Sequence, residues 1–207
     1  MRLSTRIRST LMRLLASDFM LQRRRAKGRK QREAQGLDPV IYYFHQVDDP
    51  YSFIMAQQLT RFAEISSVQI KPFLVNDPAA AFKGDASRFD AWAIADAANI
   101  APFLGEALPI ASGDESSTQP NITQREAGEA ALSPLLEADL SIFTTEAQRI
   151  GLALWHHHSL PKPSHQERAH AETCVAAGDT LRASLGHFQG GTLYFDGDWY
   201  WGVDRLP

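Results

Sequence analysis

Two stretches of this sequence crowd together side chains that could do chemistry. The first is His45-Gln46-Val47-Asp48-Asp49-Pro50-Tyr51-Ser52. Asp49-Pro50 has the form of a helix start, because aspartate caps and proline suits the first helical position. A helix N-terminus offers unpaired N–H groups and a partial positive charge, which stabilise a thiolate or another anion. Asp49 at that point has two readings. It is a helix cap, or it is a general base that takes a proton from a thiol or a carbon. An ionised carboxylate cannot donate a hydrogen bond, and it repels a thiolate. Ser52 adds a hydroxyl. His45 adds an imidazole that can titrate near neutrality, with packing at the strand end as its other reading. The second stretch is Trp155-His156-His157-His158. Consecutive histidines on a helix point in different directions, so no metal site is expected there, and His165 and His170 add no ligand spacing. Cys174 is the one cysteine, so an internal disulfide or a redox pair is excluded. It is expected to be a buried small residue in a reducing, cytoplasmic setting. No P-loop, dinucleotide fingerprint or serine-hydrolase elbow is present.

The elements that would hold these residues follow from period and punctuation. Val40–Phe44 is a short apolar run that predicts a buried strand. A helix is expected from Tyr51 to about Ile65, then a strand over Val68–Val75 ended by Asn76-Asp77-Pro78. This is a βαβ unit with parallel strands and a right-handed crossover. Helices are expected over Ser87–Leu104, Thr123–Leu136, Thr144–His156 and His165–Leu185. Ala107–Pro120 reads as a polar linker. Thr123…Glu126 and Thr144-Thr145-Glu146 have the look of capping patterns. The period then changes. Thr192–Phe195 and Trp199–Trp201 flank Asp196-Gly197-Asp198, a strong hairpin signal. The order is βαβ, a helical block, then a hairpin, which makes an α/β fold with a helical insertion at about 86–186.

The chain has 207 residues and a formal net charge of −3, with 44% hydrophobic and 22% charged residues, as in ordinary globular proteins. That net charge hides a segregation. Residues 1–40 carry 11 Lys and Arg against 3 Asp and Glu, leaving 10 against 21 for the rest. Residues 1–38 are read as a basic arm, partly helical or disordered and separable from a domain spanning 39–207. Leu3, Ile7, Leu11, Leu14, Leu15 and Phe19 follow helical spacing with arginines between them. Residues 1–32, with the charge cluster Arg23–Arg32, are read as a solvated arm or else as a segment that meets an anionic membrane surface, which would make a cytoplasmic protein peripheral to a membrane. No aromatic residues alternate with the basic cluster, which counts against nucleic acid. No apolar run approaches the ~20 residues needed to span a bilayer.

Two segments carry a family resemblance. Tyr42-Tyr43-Phe44-His45-Gln46-Val47-Asp48-Asp49-Pro50-Tyr51-Ser52-Phe53 resembles the first strand and helix start of 2-hydroxychromene-2-carboxylate isomerases and kappa-class glutathione transferases. Gly190-Gly191-Thr192-Leu193-Tyr194-Phe195-Asp196-Gly197, with Trp201-Gly202-Val203-Asp204-Arg205-Leu206, resembles their closing segment. The resemblance runs from about Val40 to Leu206. It implies a thioredoxin-like fold of the DsbA and kappa type, and a glutathione-dependent isomerase- or transferase-like protein acting on a hydrophobic or aromatic substrate. Ser52 matches the family's second site position, and Gly190, Gly191, Val203 and Asp204 match its glutathione-binding segment. Asp204 is the expected partner of the γ-glutamyl ammonium, or else a cap or a partner of Arg205. Asp49 stands where the family has serine, or in DsbA cysteine, and Gly191 stands where it has a cis-proline. Thiol–disulfide exchange through a Cys-x-x-Cys pair is thereby excluded. A non-catalytic binding module recruited through the basic arm is the alternative. A thioredoxin fold usually closes with another helix packed on its sheet, so the chain is expected to be truncated, partnered as in a homodimer, or one piece of a longer architecture with an additional domain.

Overall fold

The computed structural model of the chain describes Arg13 and residues 17–65, 68–104 and 119–203. A helix, α1 (Asp18–Ala34), precedes strand β1 (Val40–His45). Helix α2 (Pro50–Ile65) and strand β2 (Gln69–Leu74) follow. Then come the one-turn helix α3 (Ala80–Lys83), α4 (Ala86–Ile100), α5 (Ile122–Leu132), α6 (Leu140–Trp155) and α7 (His165–Ser184), and finally β3 (Thr192–Phe195) and β4 (Asp198–Trp201).

The strands form one sheet in the order β2-β1-β3-β4. β1 and β2 run parallel, with Val40 opposite Gln69 and His45 opposite Leu74. β3 is antiparallel to β1, with Phe44 opposite Thr192, and β4 is antiparallel to β3. β1 is central and packed on both faces, which explains its unbroken apolar run. β2 is an edge strand, the place where a proline such as Pro72 is tolerated. Asp196 and Gly197 have φ of 45° and 88°. Two left-handed residues in a row make the hairpin turn that the right-handed twist of the strands prefers.

Helices α2 and α6 cover one face of the sheet. Tyr43, Ile54, Leu59, Phe143 and Leu154 are fully buried between them. The Thr60 and Thr144 hydroxyls meet at 2.8 Å, and the Gln148 side-chain amide donates to the Ala56 carbonyl at 3.1 Å. Helix α7 packs on the C-terminal end of β2. A Cβ on Gly178 would lie 2.0 Å from the Leu74 carbonyl oxygen, so only glycine permits that approach.

Several elements depart from the sequence reading. α5 begins earlier than expected, capped by Asn121 and Gln124 in a reciprocal box, and Thr123 and Glu126 are not the capping pair. α6 begins at Leu140, so Thr144 is an interior, fully buried residue. The single helix of the Ser87–Leu104 segment gives way to a 3-10 turn at Ala101–Leu104. Most of the Ala107–Pro120 linker lies outside the described residues. Cys174 is half-buried on α7 and not enclosed, its sulfur 3.6 Å from His170 Nε2.

The largest difference concerns the basic arm, read as separable. α1 is seated on the β3–β4 hairpin. Arg25 donates to Asp198 at 2.9 and 2.7 Å, and Arg32 donates to Asp196 at 2.9 and 3.0 Å. Between them the Gly28 backbone presses on the turn. A Cβ there would lie 2.2 Å from the Asp196 carbonyl oxygen. Arg25, Gly28 and Arg32 share one helix face at i, i+3 and i+7.

Candidate functional site

The site is built at the C-terminal end of β1, where the chain leaves the strand and enters α2. Pro50 opens α2 and Asp49 precedes it as N-cap. The Ser52 N–H donates to Asp49 Oδ2 at 2.7 Å, and the carboxylate also accepts from the Ser52 hydroxyl and the Tyr51 N–H. Burial pushes the Asp49 carboxyl up to about 6, against the pull of those hydrogen bonds, and the neighbouring Asp48 carboxylate raises it further. Ser52 has no exposed surface, and its hydroxyl accepts from the Gln46 N–H at 3.1 Å. It ties the strand exit to the helix and is not free to attack a substrate.

His45 lies one layer below. It is buried beside Phe143, and its Nδ1 lies 2.7 Å from the Tyr43 hydroxyl. That hydroxyl donates its single proton to the Ser52 carbonyl at 3.0 Å. His45 Nδ1 therefore carries the ring proton and donates to Tyr43, an assignment made from this network. Burial lowers the His45 imidazole to about 3, so the ring is neutral at physiological pH and serves packing.

The two glycines of the closing segment arrive at the same place. A Cβ on Gly190 would lie 2.5 Å from Gln46 Cβ and 3.3 Å from Ser52 Oγ. Gly191 has φ of 59°, and a Cβ there would meet Asp49 Oδ2 at 3.1 Å and the Ser52 nitrogen at 3.2 Å. The peptide between them is trans. The structure thus brings together Asp49, Ser52, Gly190 and Gly191. Val203 is buried nearby, and Asp204 lies outside the described residues.

Behind Asp48 lies a charged network that sequence reasoning missed. The Gln46 side chain donates to Asp48 at 2.9 Å and Asp77 at 3.4 Å. Arg125 reaches Asp48 at 3.9 Å and Glu129 at 3.5 Å. Burial raises the Asp48 carboxyl, with the Gln46 hydrogen bond and Arg125 opposing it. Burial likewise raises Glu129 to about 7, against Arg125. A glutamate inside an alanine-rich helical stretch, with arginine four residues before it, was the available signal.

A cleft of about 550 Å³ opens beside the first turn of α2. Tyr51, Phe89, Trp92, Phe103, Trp201 and Val203 are among its walls. Trp92, Phe103 and Trp201 are exposed at 58%, 90% and 55%, more than core aromatic residues would be. Its main polar feature is the Tyr51 hydroxyl, which donates to Asp96 Oδ2 at 2.6 Å. Burial raises the Tyr51 phenol well above its ordinary value, and Asp96 adds to the shift. Of the aromatic residues at the chain's close, only Trp201 lines this cleft. Trp199 shares the face of β4 with Trp201 but is taken up by the His187 ring, stacked at 4.4 Å, and Tyr200, on the opposite face, lies under the Arg25 guanidinium. Among the described residues no group of three His, Cys, Asp or Glu side chains converges as a metal would require, and no helix is long and apolar enough to cross a membrane.

Two solved structures are among those that this chain resembles. A putative protein disulfide isomerase from Nitrosomonas europaea aligns with a TM-score of 0.53 at 13% identity, covering 82% of this chain and 94% of its own. A 2-hydroxychromene-2-carboxylate isomerase aligns with a TM-score of 0.48 at 14% identity, covering 81% and 90%. No protein-family model matches the sequence, and no curated protein matches it. The strand order and the first of these alignments define the fold: an α/β thioredoxin fold of the DsbA-like kind, with helices α4–α7 inserted between its βαβ half and its hairpin.

Proposed function

We propose that the protein binds an aromatic or hydrophobic small molecule in the cleft beside Tyr51, as an isomerase- or transferase-like thioredoxin-fold protein whose sulfur position is held by a carboxylate. The observation that carries this reading is the aromatic cleft itself, open against the first turn of the helix that in this fold faces the substrate. The Tyr51–Asp96 pair gives a mainly apolar wall a fixed polar point, able to orient a hydroxyl or carbonyl group of the ligand.

Glutathione is the cosubstrate of this reading. At pH 8 an ionised Asp49 repels its thiolate. Below about pH 6 the carboxyl is neutral and can donate to sulfur. Glutathione affinity is therefore expected to rise as the pH falls from 8 to 5, and Asp49→Ser to make it high and independent of pH. Calorimetric titration with glutathione, and tryptophan quenching by a naphthalene carboxylate, test the two halves. An absence of quenching that persists in Trp92→Phe removes the cleft reading, and an absence of glutathione binding at any pH removes the cosubstrate.

A second reading, a binding module without catalysis, is favoured by the Asp49 hydrogen bonds, which spend the free N–H groups of α2 on the protein's own carboxylate. Aromatic binding without glutathione binding or turnover selects it.

A further inference from the structure

We propose that the outer face of α1 is a docking surface for anionic phospholipid, and that it holds the protein on a membrane with the cleft end of the sheet turned away. Arg25, Gly28 and Arg32 face the hairpin, and the two arginines are matched by Asp198 and Asp196. Turning α1 by half a revolution brings up Phe19, Arg23, Lys27 and Lys30, spaced i, i+4, i+8 and i+11, all exposed. Arg24 and Arg29, exposed too, stand at the two sides of the seat and not on this row. Phe19 is 64% exposed, with the Arg23 guanidinium 5.6 Å from its ring centre. The helix thus spends two cations on its own seat and presents three on the opposite side, with one aromatic ring among them.

That composition selects the occupant. A row of cations around a single exposed aromatic ring matches a phospholipid interface, where headgroups take the charge and the ring enters the acyl boundary. The sequence before it continues the pattern, with Leu3, Ile7, Leu11 and Leu14 between Arg2, Arg6, Arg8 and Arg13. A nucleic-acid surface would draw on several aromatic or polar side chains among the cations to reach bases. The remainder of the chain is acidic, 10 Lys and Arg against 21 Asp and Glu, and an anionic membrane repels it.

The register fixes the orientation. The candidate site lies where Phe44 pairs with Thr192, and α1 sits on Asp196-Gly197 at the other end of β3. Roughly 13 Å of strand separates the two. The basic helix and the candidate site are therefore at opposite ends of the sheet, and docking through one leaves the other open.

The test is co-sedimentation of the full chain with vesicles of phosphatidylcholine alone and with added phosphatidylserine, at low and high salt. Binding is expected only to the anionic vesicles, falling about tenfold or more at high salt. The triple variant Arg23→Gln, Lys27→Gln, Lys30→Gln is expected to lose about tenfold or more in binding while its melting temperature stays unchanged, since these side chains take no part in the seat. Phe19→Ser is expected to weaken binding without altering its salt dependence. Equal binding to neutral vesicles, no binding to anionic vesicles at low salt, full binding by the triple variant, or displacement by a DNA duplex at lower charge concentration than by phosphatidylserine would each overturn the proposal.

Discussion

The proposed chemistry turns on Asp49, and the titration of that carboxyl has a measurable consequence. Its carboxyl has a folded value of about 6 against an ordinary 3.8, so the native state binds that proton first and stability is gained as the pH falls from 6 toward 4. Glu129, at about 7 against 4.5, acts in the same sense. His45 acts in the opposite sense. It stays neutral down to about 3, so below pH 6.5 the unfolded chain binds the proton and stability is lost. In Asp49→Asn, which keeps a cap, urea midpoints should fall with acidification more steeply than in the parent, by at most about 1.4 kcal/mol per pH unit between pH 6 and 4. An unchanged slope would mean that Asp49 titrates like an exposed carboxylate. At neutral pH, Asp49→Ser should alter stability by less than ~1 kcal/mol, because serine caps comparably. The cap was legible in Asp49-Pro50 itself, since proline at the first helical position and a short acceptor before it are local signals. The enclosure of His45 was not, because it depends on Phe143, whose place beside β1 no local pattern announces.

Among the elements, close approach is set by glycine more than by charge. Helix α7 reaches the end of β2 over Gly178, so Gly178→Ala must displace the helix or the Leu74 carbonyl. A loss of about 1–3 kcal/mol is expected in chemical denaturation, although alanine is the better helix former. A neutral or stabilising result would mean that the contact is looser than the geometry shows. Gly28→Ala meets the same obstacle at Asp196, but there the helix is free to leave. The expected outcome is rapid proteolysis at the α1 arginines with little change in the melting of the sheet. The βαβ unit and the hairpin were readable from apolar runs and from Asp196-Gly197, whose turn chemistry is local. The docking of α1 was not, because Arg23–Arg32 reads as a solvated charge cluster until Asp196 and Asp198 are seen beside it. The one clue was a glycine in the middle of a basic helix, where flexibility alone has no use. The cleft was not legible, because nothing local sets Trp92 and Phe103 apart from other helical aromatic residues, and only their exposure shows that they wall an opening.

At the scale of the whole molecule, the sheet is stitched together from distant parts of the chain. β1 pairs with β3 about 150 residues later, and Arg25 meets Asp198 across 173 positions. Such non-local pairings carry a large loop-closure cost and are associated with slow folding. On the ribosome, β1 and α2 emerge early and must wait for β3 before the central strand has both neighbours. Through that interval the unpaired edge of β1, with Tyr42, Tyr43 and Phe44, is open to wrong partners, a familiar hazard of unpaired strands. A nascent chain stalled before Thr192 should therefore resist compaction in a protease-pulse assay and recruit holdase chaperones, and one extended past Trp201 should not. The hairpin that seats α1 would then close two gaps within a few residues of synthesis, giving β1 its second partner and taking two of the arginines of the basic segment out of circulation.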